Sequence, residues 1–471
     1  MEGIRVVTTF ARGGYPHRAD RRAPGIGQSI VVATGAGGLA SAIAMDASAA
    51  GVALVLVAHL VFLAAAAWRL LLVLTSLRPE PAPPPATDVP RYTVLAALLD
   101  EAEVLPQLVE RLDAIDYPRD RLEGFLLLEA HDKATLAAAA RCALPRWLRV
   151  IVVPPGGPRT KPAALNAGLT AASGVLLTVY DAEDDPHPLQ LREAAARFAA
   201  DPDGRLATLQ APLRIRPPAG ACSPFLDRQF AVEYAALFEV TLPAMARLGL
   251  PFPLGGTSNH FRVEALRAVG GWDPHNVTED ADLGFRLWRC GYRLGTIRCP
   301  TWETPPGGMF DWLPQRTRWL KGYMQTWGVH TRSMVGLGWR GVLALVMTLG
   351  LTLAAAAAHA ASMAWLVATL GIAAAAGLKP ESPPFALAVL VVGMICAWFN
   401  GKLGAHRAGL TYAVSDMVLA PVYWSLLSLA FFHALWRLVV EPFAWDKTRH
   451  RPDPAMAIAT LVEVEAGREA A

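Results

Sequence analysis

The chain has 471 residues, 53% of them hydrophobic and 18% charged, with a formal net charge of +3. That length accommodates a soluble domain together with a membrane part, and the apolar residues gather in long blocks at both ends of a charged, Pro-punctuated middle. The small net charge, without any Lys/Arg stripe, excludes a nucleic-acid partner, and five cysteines without CxxC spacing indicate neither a disulfide frame nor a zinc site.

In chain order, residues 1–28 are dotted with Arg5, Arg12, Arg18, Arg21 and Arg22. They lack a compact apolar core with a small-residue cleavage site, so they read as a disordered segment rather than a cleaved signal. Residues 50–77 are apolar apart from His59 and Arg69, long enough at helical rise to cross a hydrocarbon core of about 30 Å. A Gly-rich stretch at 30–45 is a second candidate, so residues 29–77 hold one or two transmembrane helices. Two crossings would place the Arg-rich N-terminus and the middle domain on the same side, as a positive-inside bias favours. A Pro-rich linker follows at 78–90.

From 91 to 339, short apolar runs alternate with helical patterns, which predicts an α/β domain with a mostly parallel sheet. Strands are expected at 93–99, 124–128, 148–153 and 175–180, with helices at 105–115 and 163–172 between them. Ligands of open α/β sheets bind beyond the carboxyl ends of strands, which singles out Asp100 and Glu101, Glu129 to Asp132, and Asp181 to Asp185. Apolar blocks at 342–376, 385–399 and 414–440 then make about four crossings within 340–440. The tail, 441–471, carries Lys447, Arg449, His450 and Arg451 and reads as cytosolic.

Four segments carry chemistry. Asp181-Ala182-Glu183-Asp184-Asp185 ends an apolar strand; hard oxygens at alternate positions suit a divalent cation that also holds a diphosphate, although an acidic turn capping the next helix fits an isolated cluster as well. Thr278-Glu279-Asp280 precedes a helix expected at 282–290, where a carboxylate can act as general base; a capping box is the other reading, weakened because Ala281 is no reciprocal Glu or Gln. Gln315, Arg316, Arg318 and Trp319 lie on a helix expected at 313–333. The indole there offers a platform for a sugar ring and the arginines a fork for diphosphate, or the group forms an interfacial anchoring belt. Lys161, in Thr160-Lys161-Pro162-Ala163-Ala164-Leu165-Asn166, precedes a helix whose N-terminal amides can meet phosphate.

In this order the four segments resemble the family 2 glycosyltransferases, specifically the membrane-integrated branch that includes bacterial cellulose synthase and related exopolysaccharide synthases, over about residues 91–448. The resemblance implies a glycosyltransferase A-type, Rossmann-like domain, on the cytosolic side of a bacterial-type inner membrane, that moves a hexosyl group from a nucleotide-sugar with inversion onto a growing polysaccharide. Asp181 and Glu183 then match the metal motif, usually Asp-x-Asp, for Mg²⁺ or Mn²⁺. Asp280 matches the base within Thr278-Glu279-Asp280. Gln315 and Trp319 match the acceptor platform, and Arg316 and Arg318 the diphosphate side. Lys161 and Asn166 match the nucleotide side, and Gly255, Gly256 and Thr257 the loop meeting acceptor and donor sugar. The implied partners are a nucleotide-sugar donor, UDP-linked by the resemblance, a polysaccharide acceptor, membrane lipids and an envelope export subunit. The membrane helices would then hold a channel whose aromatics, Trp327 and Trp424, stack on the sugar chain; lipid-facing or interfacial tryptophans are the other reading for each.

The chain departs from the family at Leu128-Glu129-Ala130-His131-Asp132, where relatives carry adjacent aspartates that hold uridine. Glu129 is the positional match and Asp132 the neighbour that reaches the same place by a small shift; His131 reads as surface. Asp100-Glu101 stands where many relatives have Asn-Glu. Two other functions stay open: single transfer to a lipid-phosphate carrier, and a catalytically silent assembly subunit with the same fold.

Overall fold

The computed structural model describes residues 4–6, 19–20, 25–78, 83, 89–216, 224–377 and 384–444. Its strands are β1 (Ile4–Val6), β2 (Tyr92–Leu98), β3 (Leu122–Glu129), β4 (Leu148–Val153), β5 (Leu176–Tyr180), β6 (Asp185–Pro186), β7 (Leu206–Gln210), β8 (Leu213–Ile215), β9 (Asn259–Arg262), β10 (Arg293–Thr296) and β11 (Thr301–Glu303). Largely apolar strands such as β3 and β5, buried along their whole length, fit a sheet covered by helices on both faces. They form the centre of an eight-stranded sheet ordered β1-β4-β3-β2-β5-β9-β7-β10, while β6-β11-β8 make a small second sheet. Pairings are parallel from β1 across to β5, and β9 inserts antiparallel between β5 and β7. The mostly parallel sheet is as expected, and it aligns the carboxyl ends of β2, β3 and β5 along one edge.

The helix Lys161–Ala171 lies close to its expected bounds. The helix Glu279–Arg289 begins three residues before its expected start, which puts Asp280 inside its first turn. Within the segment expected to be disordered, Ile4–Val6 pairs in parallel with β4: alternating β-branched residues meet a strand edge that would otherwise be unpaired. The remainder of that segment is described only at residues 19–20 and 25–28. Most of the Pro-rich linker and all of 445–471, including the basic tail, lie outside the described residues.

Among the described residues five helices are long and apolar enough to cross a membrane, by length and composition: Ile26–Met45, Ala47–Ser76, Gly338–Ala375, Ala388–Ala408 and Val414–Val440. Both N-terminal candidates are therefore helices, separated at Asp46, whose carboxylate accepts from the amides of Ser48 and Ala49. After residue 338 there are three such helices rather than four. The Ala- and Leu-rich block at 342–376 has no proline and stays helical, its one irregularity being a π turn at Val346–Gly350. Trp327 packs onto Gly350 and Trp424 meets His359 edge-on at 5.7 Å, so both expected channel aromatics sit in helix contacts.

The membrane helices dock directly on the α/β domain. Arg228, on the helix Phe225–Ala236, forks onto the buried carboxylate of Asp416 at the start of Val414–Val440. Arg407 donates to the carbonyls of Glu239 and Ser76, both at 2.7 Å, tying three elements at one point. Gly404 meets the backbone of Ala235 so closely that a Cβ would stand 2.6 Å from its carbonyl. Because backbone cannot swing aside, Gly404→Ala should cost about 1–3 kcal/mol by overpacking. A lowered thermal midpoint of the detergent-solubilised variant, against the parent protein prepared in the same way, is the measurement.

Candidate active site

A cleft opens at the carboxyl edge of β2, β3 and β5. It is closed by residues 253–257 ahead of β9, by the start of Glu279–Arg289 and by the helix Met309–Thr331. Seven carboxylates line it (Glu101, Glu129, Asp181, Glu183, Glu279, Asp280 and Glu303) against three cations, Arg159, Lys161 and Arg318. Lys161 sits at its centre: its ammonium pairs with Asp181 and donates to the Gly256 carbonyl at 2.7 Å. Burial opposes that charge, but Asp181, Glu279 and Asp280 outweigh burial and hold the ammonium above its ordinary range. A Cβ on Gly256 would fall 3.4 Å from an Asp280 oxygen, 3.8 Å from the Lys161 nitrogen and 4.0 Å from an Asp181 oxygen. Glycine thus keeps open the space on which the three groups converge.

Burial pushes Glu279 up to about 8, helped by the neighbouring Asp280 charge and opposed by Lys161 and Arg318. Burial likewise lifts Asp280 to about 6, against the pull of the Ala281 amide, Lys161 and Arg318. Behind Asp181 lies Asp184, fully buried: it accepts from the Asp181 amide at 2.8 Å and from the Thr257 hydroxyl, so it joins the acidic strand end to the Gly-Gly-Thr loop. Burial, reinforced by Asp181 and Glu183, holds Asp184 well above the ordinary carboxylate range.

The opposite wall is aromatic. Trp319 lies 5.9 Å from Tyr234 and 6.1 Å from Phe230, with the Arg316 guanidinium over its ring at 4.4 Å. Tyr234, Leu237, Phe238 and Tyr323 extend this wall, and Gln315 and Arg318 stand at its rim.

The expected site residues divide in two. Glu101, Glu129, Lys161, Asp181, Glu183, Gly255, Gly256, Thr257, Thr278, Glu279, Asp280, Gln315, Arg318 and Trp319 line the cleft. Four do not. Asp132 caps the helix Lys133–Arg141 through the Thr135 amide and accepts from the amide of Asp100, which adopts φ 52°. Asp100 and Asp132 thereby hold the strand ends together, and Glu129 is the carboxylate that faces the cleft. Asn166 is occupied at both ends of its amide by the backbone of Trp272, at 2.8 and 3.0 Å. Arg316 forks onto Glu233 at 3.0 and 2.6 Å and supports Trp319 from behind. His131 is exposed, as expected. Sequence reading missed Arg159, Tyr234, Leu237, Phe238, Glu303 and Tyr323. Glu303 follows the same rule as the other acids, lying at a strand end, but β11 is three residues long and leaves no periodicity to see.

For a divalent cation the residues fit. The donors are hard oxygens in excess over the cations, and a diphosphate would add further negative charge to the same space. Asp181 and Glu183 are the carboxylates that would hold the ion. Among the described residues no cluster of three or more potential ligands is preassembled, so the diphosphate and water would complete the shell, as Mg²⁺ and Mn²⁺ sites commonly allow.

Residues 176–445, more than half of the chain, match the Glycosyl transferase family group 2. The chain belongs to this family of glycosyltransferases. It is 24% identical over 238 residues to a probable glycosyltransferase, YdaM, of Bacillus subtilis, covering 50% of this chain and 56% of that protein. It is 28% identical over 283 residues to the beta-monoglucosyldiacylglycerol synthase of Synechocystis, covering 57% and 56%. To the cellulose synthase catalytic subunit of Komagataeibacter sucrofermentans it is 26% identical over 267 residues, covering 55% and 34%. The chain thus spans about half, or less, of the length of these relatives. In fold it is similar to a mannosyltransferase from Pyrobaculum calidifontis solved with GDP-Man and Mn²⁺, at TM-score 0.53 and 21% identity over 81% of this chain and 98% of that one.

If Asp280 takes up the acceptor proton it must be ionised, and with its carboxyl at about 6 donor turnover would fall as pH drops through that value. The pH profile of nucleoside diphosphate release, with its acid limb near pH 6, checks this; a flat profile from pH 5 to 8 would disprove it.

Proposed function

We propose that this protein transfers a hexosyl group from a nucleotide-sugar, with inversion, onto a hydroxyl of a growing β-linked polysaccharide. The observation that supports it is the convergence of Asp280, Lys161 and Asp181 around the open space at Gly256, facing Trp319 across the cleft. A sugar ring stacked on the Trp319 indole presents a hydroxyl toward Asp280, which takes its proton as the oxygen attacks the anomeric carbon. Charge then builds on the departing diphosphate, and Lys161 and Arg318 offset it from fixed positions in a buried site. Glu129, at the end of β3, holds the nucleotide side. Asp181 and Glu183 would hold Mg²⁺ or Mn²⁺, which would supply Lewis-acid stabilisation of the leaving group. Attack from the side opposite the diphosphate converts an α-linked donor to a β-linked product. The catalytic domain faces the cytosol of a bacterial-type inner membrane, where nucleotide-sugars are available, and an export subunit receives the chain.

One observation favours a second acceptor. Leu237 and Phe238 belong to a π turn, Leu237–Thr241, that packs on the membrane helices, so the apolar side of the cleft is continuous with the membrane part. A lipid-borne hydroxyl would meet that wall, consistent with the glycolipid synthase among the relatives. The intact set of Asp181, Glu183, Lys161 and Asp280 argues against a silent assembly subunit.

Protein in lipid, offered a panel of UDP- and GDP-sugars with Mg²⁺ or Mn²⁺, should release nucleoside diphosphate with one donor and make a long product. A short, lipid-extractable product moves the acceptor to a lipid, and removal of divalent ions by chelation should abolish release. Asp280→Asn should lower turnover about 10²–10⁴-fold with the donor still bound. Trp319→Ala should shorten the product, and unchanged product length would sink the polysaccharide reading.

A further inference from the structure

The stretch that delivers Thr278-Glu279-Asp280 to the cleft is irregular from Asp273 to Thr278, so its position depends on side-chain contacts. Three come from one face of the helix Met309–Thr331. The Val277 amide donates to Gln325 Oε1 at 3.1 Å, and Asn276 donates to Thr326 Oγ1 at 2.9 Å. Gly322 lets the Thr278 side chain lie flat on the helix, where a Cβ would overlap it. The other end of Gln325 is also held: Nε2 donates to the Pro442 carbonyl at 2.8 Å, just beyond the last membrane-spanning helix. One turn earlier on the same helix, the buried Lys321 ammonium donates to the carbonyls of Ala444, at 2.7 Å, and Glu441, at 3.2 Å. Phe443 meets His275 edge-on at 5.8 Å, closing the contact between residues 441–444 and the irregular stretch.

Neither Gln325 nor Lys321 lines the cleft. Gln325 is 8% exposed, and its amide is oriented by Pro442 so that the oxygen faces Val277. We propose that Gln325 is a positioning residue for Thr278-Glu279-Asp280, setting the reach of Asp280 into the cleft from an anchor on the chain that leaves the last membrane-spanning helix. The inference rests on the reading of Asp280 as the base. A glutamine suits the task because it accepts at one end and donates at the other, while removal of the acceptor leaves the buried Val277 amide unsatisfied and the stretch free to shift. A misplacement of about 1 Å at a reacting group can cost about a hundredfold in rate.

The test compares Gln325→Leu with Gln325→Glu in the full-length protein, by steady-state kinetics and by amide exchange. Glu keeps the acceptor for Val277 and loses the donor for Pro442. For Gln325→Leu the expected result is kcat lower by about 10- to 100-fold with donor KM within about twofold, because the donor side is untouched. Exchange should rise in peptides covering 275–281 and 441–444 while the central sheet keeps its protection. Gln325→Glu should recover at least about fivefold of the lost kcat, with faster exchange confined to 441–444. Unchanged kcat and exchange in Gln325→Leu overturn the proposal, and so does a loss spread over the whole chain with kcat and KM changed together. If Gln325→Leu does not fold, the glutamate variant decides by itself: faster exchange at 275–281 with 441–444 unchanged overturns the proposal. Amide exchange needs no turnover, so full activity of Asp280→Asn would refute the catalytic reading while leaving this result separately legible.

Discussion

One half-buried ammonium, that of Lys161, holds together a site that would otherwise repel itself. The ends of β2, β3, β5 and β11 and the first turn of Glu279–Arg289 all direct carboxylates into a single cleft. Burial is the main reason why Glu279 and Asp280 sit above their usual values, and for Glu279 the neighbouring Asp280 charge adds to it. Lys161 relieves part of this strain by bonding Asp181 and the Gly256 carbonyl together, and Asp184 fixes the same two segments from behind. The remaining excess of negative charge is what suits the cleft to a divalent ion and to cationic help for a diphosphate.

The aromatic wall depends on a second node, which is also the joint to the membrane part. Arg316 forks onto Glu233, and Tyr423 donates to the same carboxylate at 2.6 Å from the last membrane-spanning helix. With its charge matched, the guanidinium sits 4.4 Å from the centre of the Trp319 ring and supports the indole that lines the cleft. An Arg-carboxylate fork of this kind fixes orientation as well as distance, and a lysine there would supply neither. Membrane helices and catalytic surface therefore form one packed unit, joined through Arg228 and Asp416, Arg407, and the contact of Gly404 with Ala235.

Much of this was legible before any coordinates. The run at 148–153 reproduces its strand to the residue, because an apolar segment of that length bounded by loop residues has few other uses. Acids placed after strands identified Glu101, Glu129, Asp181 and Glu183, since the carboxyl edge of a parallel sheet is where side chains converge. Asp132, expected from the same rule, and Asn166 and Arg316, expected from the resemblance, do not line the cleft. Each has the right chemistry at the right spacing, yet a backbone amide, a backbone pair or a carboxylate took up its hydrogen-bonding capacity first. Glu303 and Tyr234 were invisible for a different reason: a three-residue strand and a helix far away in sequence bring them in.

The sequence by itself determined the fold class, the family and the acids, cation and indole from which a site can be made. Local patterns determine these because hydrophobic periodicity and residue chemistry are properties of short segments. Only the tertiary structure decided which of those groups share a space. Glu129 rather than Asp132 reaches the cleft, Arg318 rather than Arg316 lies along it, and the Ala-rich block forms one unbroken helix, Gly338–Ala375, long and apolar enough to cross a membrane. The physical reason is competition for partners: a polar group next to a backbone donor or a buried counter-charge binds that neighbour, and which neighbour it has is settled by packing between segments distant in sequence.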